Sequence, residues 1–190
     1  MVTVHRREAC MPVAKPLFFI GFKEPVDNDY LHTATELMAA EVLLEILVGH
    51  SAPLYTRLME AELINDSFGG GYFEGPGYAA FLFSGESKDP DAVAAALCEE
   101  IERLKREGID PARFTEEQHA LYGRLLTGLN DVESCGDWLV DDHFYGRKPF
   151  ELIDSIATLD VQSVYHFLDK KLLTDCMALS VVSAGDAAQR

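Results

Sequence analysis

The chemistry-bearing residues of this chain are dispersed, and one local cluster stands out. Gly69, Gly70, Gly71 and Tyr72 lie inside "LYTRLMEAELINDSFGGGYFEGPGYAAFLFSG", residues 54–85, where an amphipathic stretch runs into glycines and leaves through aromatics. A phosphate-binding P-loop needs G-x-x-x-x-G-K-[ST], with the lysine reaching the phosphates. The chain contains no Gly-Lys pair. A dinucleotide fingerprint needs the order strand, glycines, helix, whereas here the order is helix, glycines, strand. Two readings remain. The glycines mark a bulge or a tight packing site, or they leave a strand's backbone open to another chain.

The other reactive side chains form no recognisable constellation. The histidines are His5, His32, His50, His119, His143 and His166, and none sits in H-E-x-x-H or H-x-x-E-H. His32 and Glu36 are one helical turn apart, and Asp141-Asp142-His143 could meet a cation at a helix end. Zinc needs three or four ligands, and each of these groups lacks further partners at suitable spacing. A polar helix terminus accounts better for the second. No G-x-S-x-G elbow occurs, and Cys10, Cys98, Cys135 and Cys176 are widely separated, with no C-x-x-C pair. The motifs therefore single out no catalytic residue and no metal ligand.

The elements that must carry these residues follow from periodicity. "LFFIGFK", residues 17–23, predicts a central strand. Residues 27–48 place Leu37, Ala40, Leu44 and Leu47 at helical spacing, with Asp27 or Asp29 as cap and Gly49 as stop. Pro53 opens a shorter helix. "DSFGGGYFEG" and "GYAAFLFSGE" predict two strands joined at Glu74-Gly75-Pro76-Gly77. Asp89-Pro90 opens a helix with Val93, Leu97, Ile101 and Leu104 inward, stopped by Gly108. Asp110-Pro111 repeats the device. Thr115 with Gln118 offers a capping box for a long helix from about Phe114 into the 130s, with an extension to His143 broken at Gly136. A short helix in "KPFELIDSIATLD", another in "DVQSVYHFLDKKL" capped by Thr158, and a strand over residues 176–184 complete the series; "GDAAQR" is expected to fray. Strands in hairpins with segregated helices predict an α+β fold: a mixed, largely antiparallel sheet with helices mainly on one face, in a single domain over 1–190 with its core at about 14–184.

Charge and composition bound the partners. The 190 residues carry a formal net charge of −16, and 48% are apolar. Such a surface repels phosphate backbones and anionic membranes, so neither nucleic acid nor a membrane is expected as a partner. No apolar run is expected to span a bilayer, and the N-terminal sixteen residues, "MVTVHRREACMPVAKP", lack a signal-peptide core. A cytoplasmic location is the expectation.

The order of these segments carries a resemblance. A strand ending "GFK", a long helix ending in Gly49, "LYTRLMEAELINDSF" and a Gly-rich hairpin come first. Then follow "EEIERLKREGIDPARFTEEQ", "LLTGLNDVES" and "ELIDSIATLDVQSVYHFL" before a closing strand. From about residue 14 to 184 this resembles the second, non-catalytic domain of the pitrilysin/insulinase family of zinc metallopeptidases, its small bacterial members in particular. The resemblance implies a domain that helps enclose a peptide chamber, zinc held only in a separate catalytic domain or partner subunit, and no cofactor here. It also implies a substrate-gripping arginine and tyrosine within a stretch like L-R-E-x-x-G-L-A-Y. Laid on "LMEAELIND" with one residue deleted, those positions fall on Met59 and Asn65, which argues against full peptidase activity and keeps an inactive scaffold of the same fold as the alternative. Asn65, Gly69, Gly70, Gly71 and Tyr72 are the candidate residues facing substrate. An exposed apolar patch is expected around Phe68, Tyr72 and Phe73.

Overall fold

The computed structural model describes residues 2–25 and 31–185. Among them, β1 (Arg6–Met11), β2 (Leu17–Glu24), β3 (Gly69–Gly75), β4 (Tyr78–Glu86) and β5 (Met177–Ala184) form one five-stranded sheet in the order β1-β5-β2-β4-β3. β1 pairs with β5 in parallel and the other pairs are antiparallel. β2 holds the centre, as its aromatic and β-branched run predicts. Its alternation sends Phe18, Ile20, Phe22 and Glu24 into the interior and Leu17, Phe19 and Lys23 to the opposite face. Pro76 and Gly77 close the β3–β4 hairpin. Gly77 has φ 79°, which the second turn position after a proline demands of a glycine.

The helices pack on the inner face and complete the α+β architecture. α1 (Ala34–Val48) is apolar on nearly every side, because it lies between the sheet and the outer helices α4, α6 and α7. It starts later than its periodicity indicates. Thr33 accepts from the Glu36 amide while the Glu36 carboxylate accepts from the Thr33 amide, and this reciprocal box sets the first turn. Asp27 and Asp29, the expected caps, lie outside the described residues. α2 (Pro53–Glu60) follows after a turn in which the Ala52 amide donates to the Gly49 carbonyl at 2.7 Å. Contrary to expectation, Ala34–Glu60 taken together has the length and mean hydropathy, 1.5, of a membrane span. The turn at Gly49 divides it, and 61% of its most apolar window is buried, as in a core helix.

α3 (Pro90–Glu107) buries Val93, Leu97, Ile101 and Leu104 beneath its Asp89 cap. α4 (Pro111–Gly128) is capped by Asp110 and not by a box at Thr115: the Thr115 hydroxyl donates to the Pro111 carbonyl. The Gln118 amide instead donates to the carbonyls of Ile156 and Leu159, both at 2.8 Å. The expected long helix divides at residues 129–131, where Asp131 caps α5 (Val132–Phe144), and runs unbroken through Gly136. α6 (Glu151–Thr158) leads to α7 (Val161–Lys171). Asp160 caps α7 in place of Thr158, because its carboxylate reaches the Ser163 amide at 2.7 Å. β1, absent from the predicted elements, is exposed along its whole length, and "RREACM" carries no alternation to reveal it. Its pairing with β5 begins the sheet ahead of the expected core.

Candidate functional site

β3 is an edge strand, paired on one side with β4. Its register puts Gly70, Tyr72 and Glu74 opposite Phe83, Phe81 and Ala79 on the helix-covered face, and Gly69, Gly71 and Phe73 opposite Ser84, Leu82 and Ala80 on the outer face. A Cβ at Gly70 would lie 2.8 Å from the Phe83 ring and 3.0 Å from Leu44 of α1. This middle glycine lets α1 approach the sheet. At Gly69 and Gly71 a Cβ would meet nothing within 4 Å. The two readings divide by residue: Gly70 is a packing site, while at Gly69 and Gly71 the outer face of the strand is bare.

The expected apolar patch is present at only one of its three residues. Phe68 is buried among Phe18 and Tyr55, and Tyr72 turns inward to stack near Phe81 and Phe167. Only Phe73 of the three is exposed, at 61%. Period-two alternation makes Phe73 and Tyr72 face opposite ways. Phe73 shares the outer face with Phe19 (56% exposed) and with Lys23, and no helix packs on that face among the described residues.

Tyr72 belongs to a buried charged network that the sequence motifs did not reveal. The His32 imidazole lies between two carboxylates, with Nε2 2.8 Å from Glu24 Oε1 and Nδ1 2.7 Å from Glu74 Oε2. Both ring nitrogens must donate, so the ring is an imidazolium. Burial works to lower its pKa, but the hydrogen bonds and charges of Glu24 and Glu74 outweigh this and hold it up to about 9. Glu24 also accepts from Tyr72 Oη at 2.6 Å and from Lys171 Nζ at 2.7 Å. Burial works to raise the Glu24 pKa, and the bonds from His32, Lys171 and Tyr72 bring it below the usual carboxylate range. Burial and the Glu24 carboxylate push the Tyr72 hydroxyl far up, so it stays a donor. Arg147 Nη1 lies 3.7 Å from Glu74 Oε1, and its Nε donates to Asp142 Oδ1 at 3.3 Å. Asp142 Oδ2 accepts from the Phe150 amide at 2.8 Å, holding Phe150 at φ 61°.

These contacts tie β2, β3, α5, α7 and the entry to α1 together. Glu24, Glu74 and Asp142 are balanced by His32, Lys171 and Arg147. Of the groups that sequence spacing set apart, Glu36 caps α1 and Asp142 engages Arg147. Among the described residues no group of three or more His, Cys, Asp or Glu side chains is arranged to hold a metal ion. The one available sequence signal was parity. Glu24 continues the Phe18-Ile20-Phe22 series, and Glu74 the Gly70-Tyr72 series, so each is an acid on an otherwise apolar face.

Asn65 is engaged by its own loop and by the end of β4. Its Oδ1 accepts from the Ser67 amide and hydroxyl, and its Nδ2 donates to Glu86 Oε2 at 2.8 Å. Met59 packs, partly buried, against the core.

The geometry defines an α+β module with one helix-covered sheet face, a glycine-rich edge strand and, among its described residues, no group arranged to hold a metal ion. The family model for the peptidase M16 inactive domain matches residues 11–121, and the chain belongs to that family. No curated protein sequence matches it. Among solved structures, an M16-like peptidase from Alicyclobacillus acidocaldarius superposes with a TM-score of 0.85 at 22% identity, over 95% of this chain and 43% of that one. The inactive peptidase domain of a zinc protease from Bordetella parapertussis gives 0.77 at 16% identity, over 100% and 98%. A protease from Helicobacter pylori gives 0.76 at 14%, over 94% and 44%. The chain thus spans less than half the length of the first and third of these proteins, and at these identities the likeness is one of fold.

Proposed function

We propose that this domain forms the non-catalytic wall of a peptide-holding chamber, completed by a zinc-bearing M16 catalytic domain or subunit, and that β3 receives an extended peptide along its open edge. The observation that carries this reading is the position of β3 at the edge of the sheet, paired on one side with β4, with bare backbone on its outer face at Gly69 and Gly71. An added strand gains its affinity from main-chain hydrogen bonds, and glycines let that backbone approach closely. The uncovered outer face with Phe19 and Phe73 supplies apolar surface next to the edge. Zinc and the base would come from the partner, because the described side chains here form no metal-binding group.

Hydrogen exchange tests the reading. Unstructured synthetic peptides added to the chain should slow exchange of those amides in Gly69–Gly75 that face away from β4. Unchanged exchange at β3 in the presence of a catalytic M16 domain that binds the chain would refute it. A second reading, an assembly scaffold without proteolysis, is favoured by Asn65, which falls at the tyrosine-equivalent position and is held by Ser67 and Glu86, and the resemblance puts Met59 at the arginine position. Mixing the chain with a catalytic M16 domain separates the two. Restored cleavage supports the chamber wall, and a stable complex without cleavage supports the scaffold.

A further inference from the structure

Helix α5 is exposed along one side to a degree unmatched by the other helices. Its inward side is Cys135, Trp138 and Asp142: the Trp138 ring covers Gly128 at the end of α4, and Asp142 is buried. The outer side carries Val132 (87% exposed), Val140 (53%) and Phe144 (79%), while Leu139 (42%) lies beside the inward residues, four after Cys135 and three before Asp142. Val132, Gly136, Val140 and Phe144 recur at every fourth position and share one stripe. Gly136 lies in the middle of the stripe, where a side chain would meet nothing within 4 Å, so a partner backbone can approach there. Exposed acids Glu133, Asp137 and Asp141 follow along one flank. Between Arg124 and Arg147 the chain has no lysine or arginine.

We propose that the outer side of α5 docks an amphipathic helix of another protein, one whose apolar stripe is flanked by lysines or arginines. An apolar stripe of this width accepts a helix laid along it, with anchors spaced at three, four and seven residues. The acidic flank selects the sign of the partner. A second copy of this chain would bring the same acids into a chain already at −16, so self-pairing is disfavoured. An anionic bilayer is repelled for the same reason. The surface lies on a helix and is independent of the glycine-rich edge, so the proposal stands apart from the chamber-wall reading.

The test uses the intact chain and two synthetic helical peptides, one patterned with Leu and Lys, the other its Leu and Glu counterpart. The Leu/Lys peptide should bind saturably with one site in calorimetry, and the Leu/Glu peptide should not. Val140→Ser with Phe144→Ser should weaken binding by about tenfold or more, as loss of central apolar anchors does. Glu133→Lys, Asp137→Lys and Asp141→Lys together should reverse the peptide preference. Glu60→Lys, Glu99→Lys and Glu116→Lys change net charge equally at other exposed acids, and should leave the preference intact. Circular dichroism melts check folding, and the Ser variants carry the test alone if the charge-reversed protein does not fold. The proposal is overturned by absence of binding, by equal effects of the two charge-reversed proteins, or by Ser variants that bind as well as the parent. Self-association in sedimentation that Phe144→Ser abolishes would also overturn it, making the occupant a second copy.

Discussion

Glu24 is fully buried and accepts from His32, Tyr72 and Lys171. Removing one member of a buried ion network leaves the others charged and unpaired, which costs about 3–5 kcal/mol. Glu24→Leu is therefore expected to destabilise the fold by that order, read from the denaturant midpoint. Stability should also depend on pH at both ends. The pKa of His32 is raised from 6.5 to about 9, so its contribution is complete below about pH 6.5 and is lost as pH rises through about 9. Glu24 is lowered from 4.5, so its contribution is complete above about 4.5 and is lost on further acidification. Denaturation midpoints measured across this range should form a plateau that falls on both sides, and His32→Gln should flatten the alkaline fall. The glycines separate cleanly at this scale too. Gly70→Ala drives a Cβ against Phe83 and Leu44 and should cost about 1–3 kcal/mol by overpacking. Gly71→Ala, with open space, should leave the melting temperature unchanged or slightly raised.

At the scale of elements, α1 owes its position to burial on nearly every side and its start to a single capping box. Thr33→Ala should remove the cap and cost about 1 kcal/mol. The same substitution at Thr115 should cost less, because that residue lies inside α4 and caps nothing. α4 and α5 show how one sequence pattern divides. "LLTGLNDVESCGDW" keeps helical composition throughout, yet the chain turns where Asp131 can accept from the Ser134 amide at 2.9 Å and where Trp138 folds back over Gly128. That reversal is what leaves the outer side of α5 uncovered.

For the whole molecule, an excess of acids spread over the surface opposes compaction. Added salt screens exposed charges over about 8–10 Å while leaving the buried network largely unscreened, so the melting temperature at neutral pH should rise with sodium chloride. A fall would mean that surface ion pairs dominate. The α+β class, the central strand β2, the β3–β4 hairpin, the Asp-Pro helix starts and the membership of the peptidase family were all legible in the chain. Each rests on local periodicity, on turn chemistry, or on the order of segments, and these are properties of neighbours in sequence. The edge position of β3, the division of labour among its glycines, the exposed strand β1 and the burial of Tyr72 were not. They depend on which strand lies beside which, and on which face α1 covers. His32 shows the difference most sharply. Its sequence neighbour Glu36 is used to cap a helix, whereas its true partners, Glu24 and Glu74, lie 8 and 42 residues away and reach it only because β2 and β3 point their acids to the same side of one sheet.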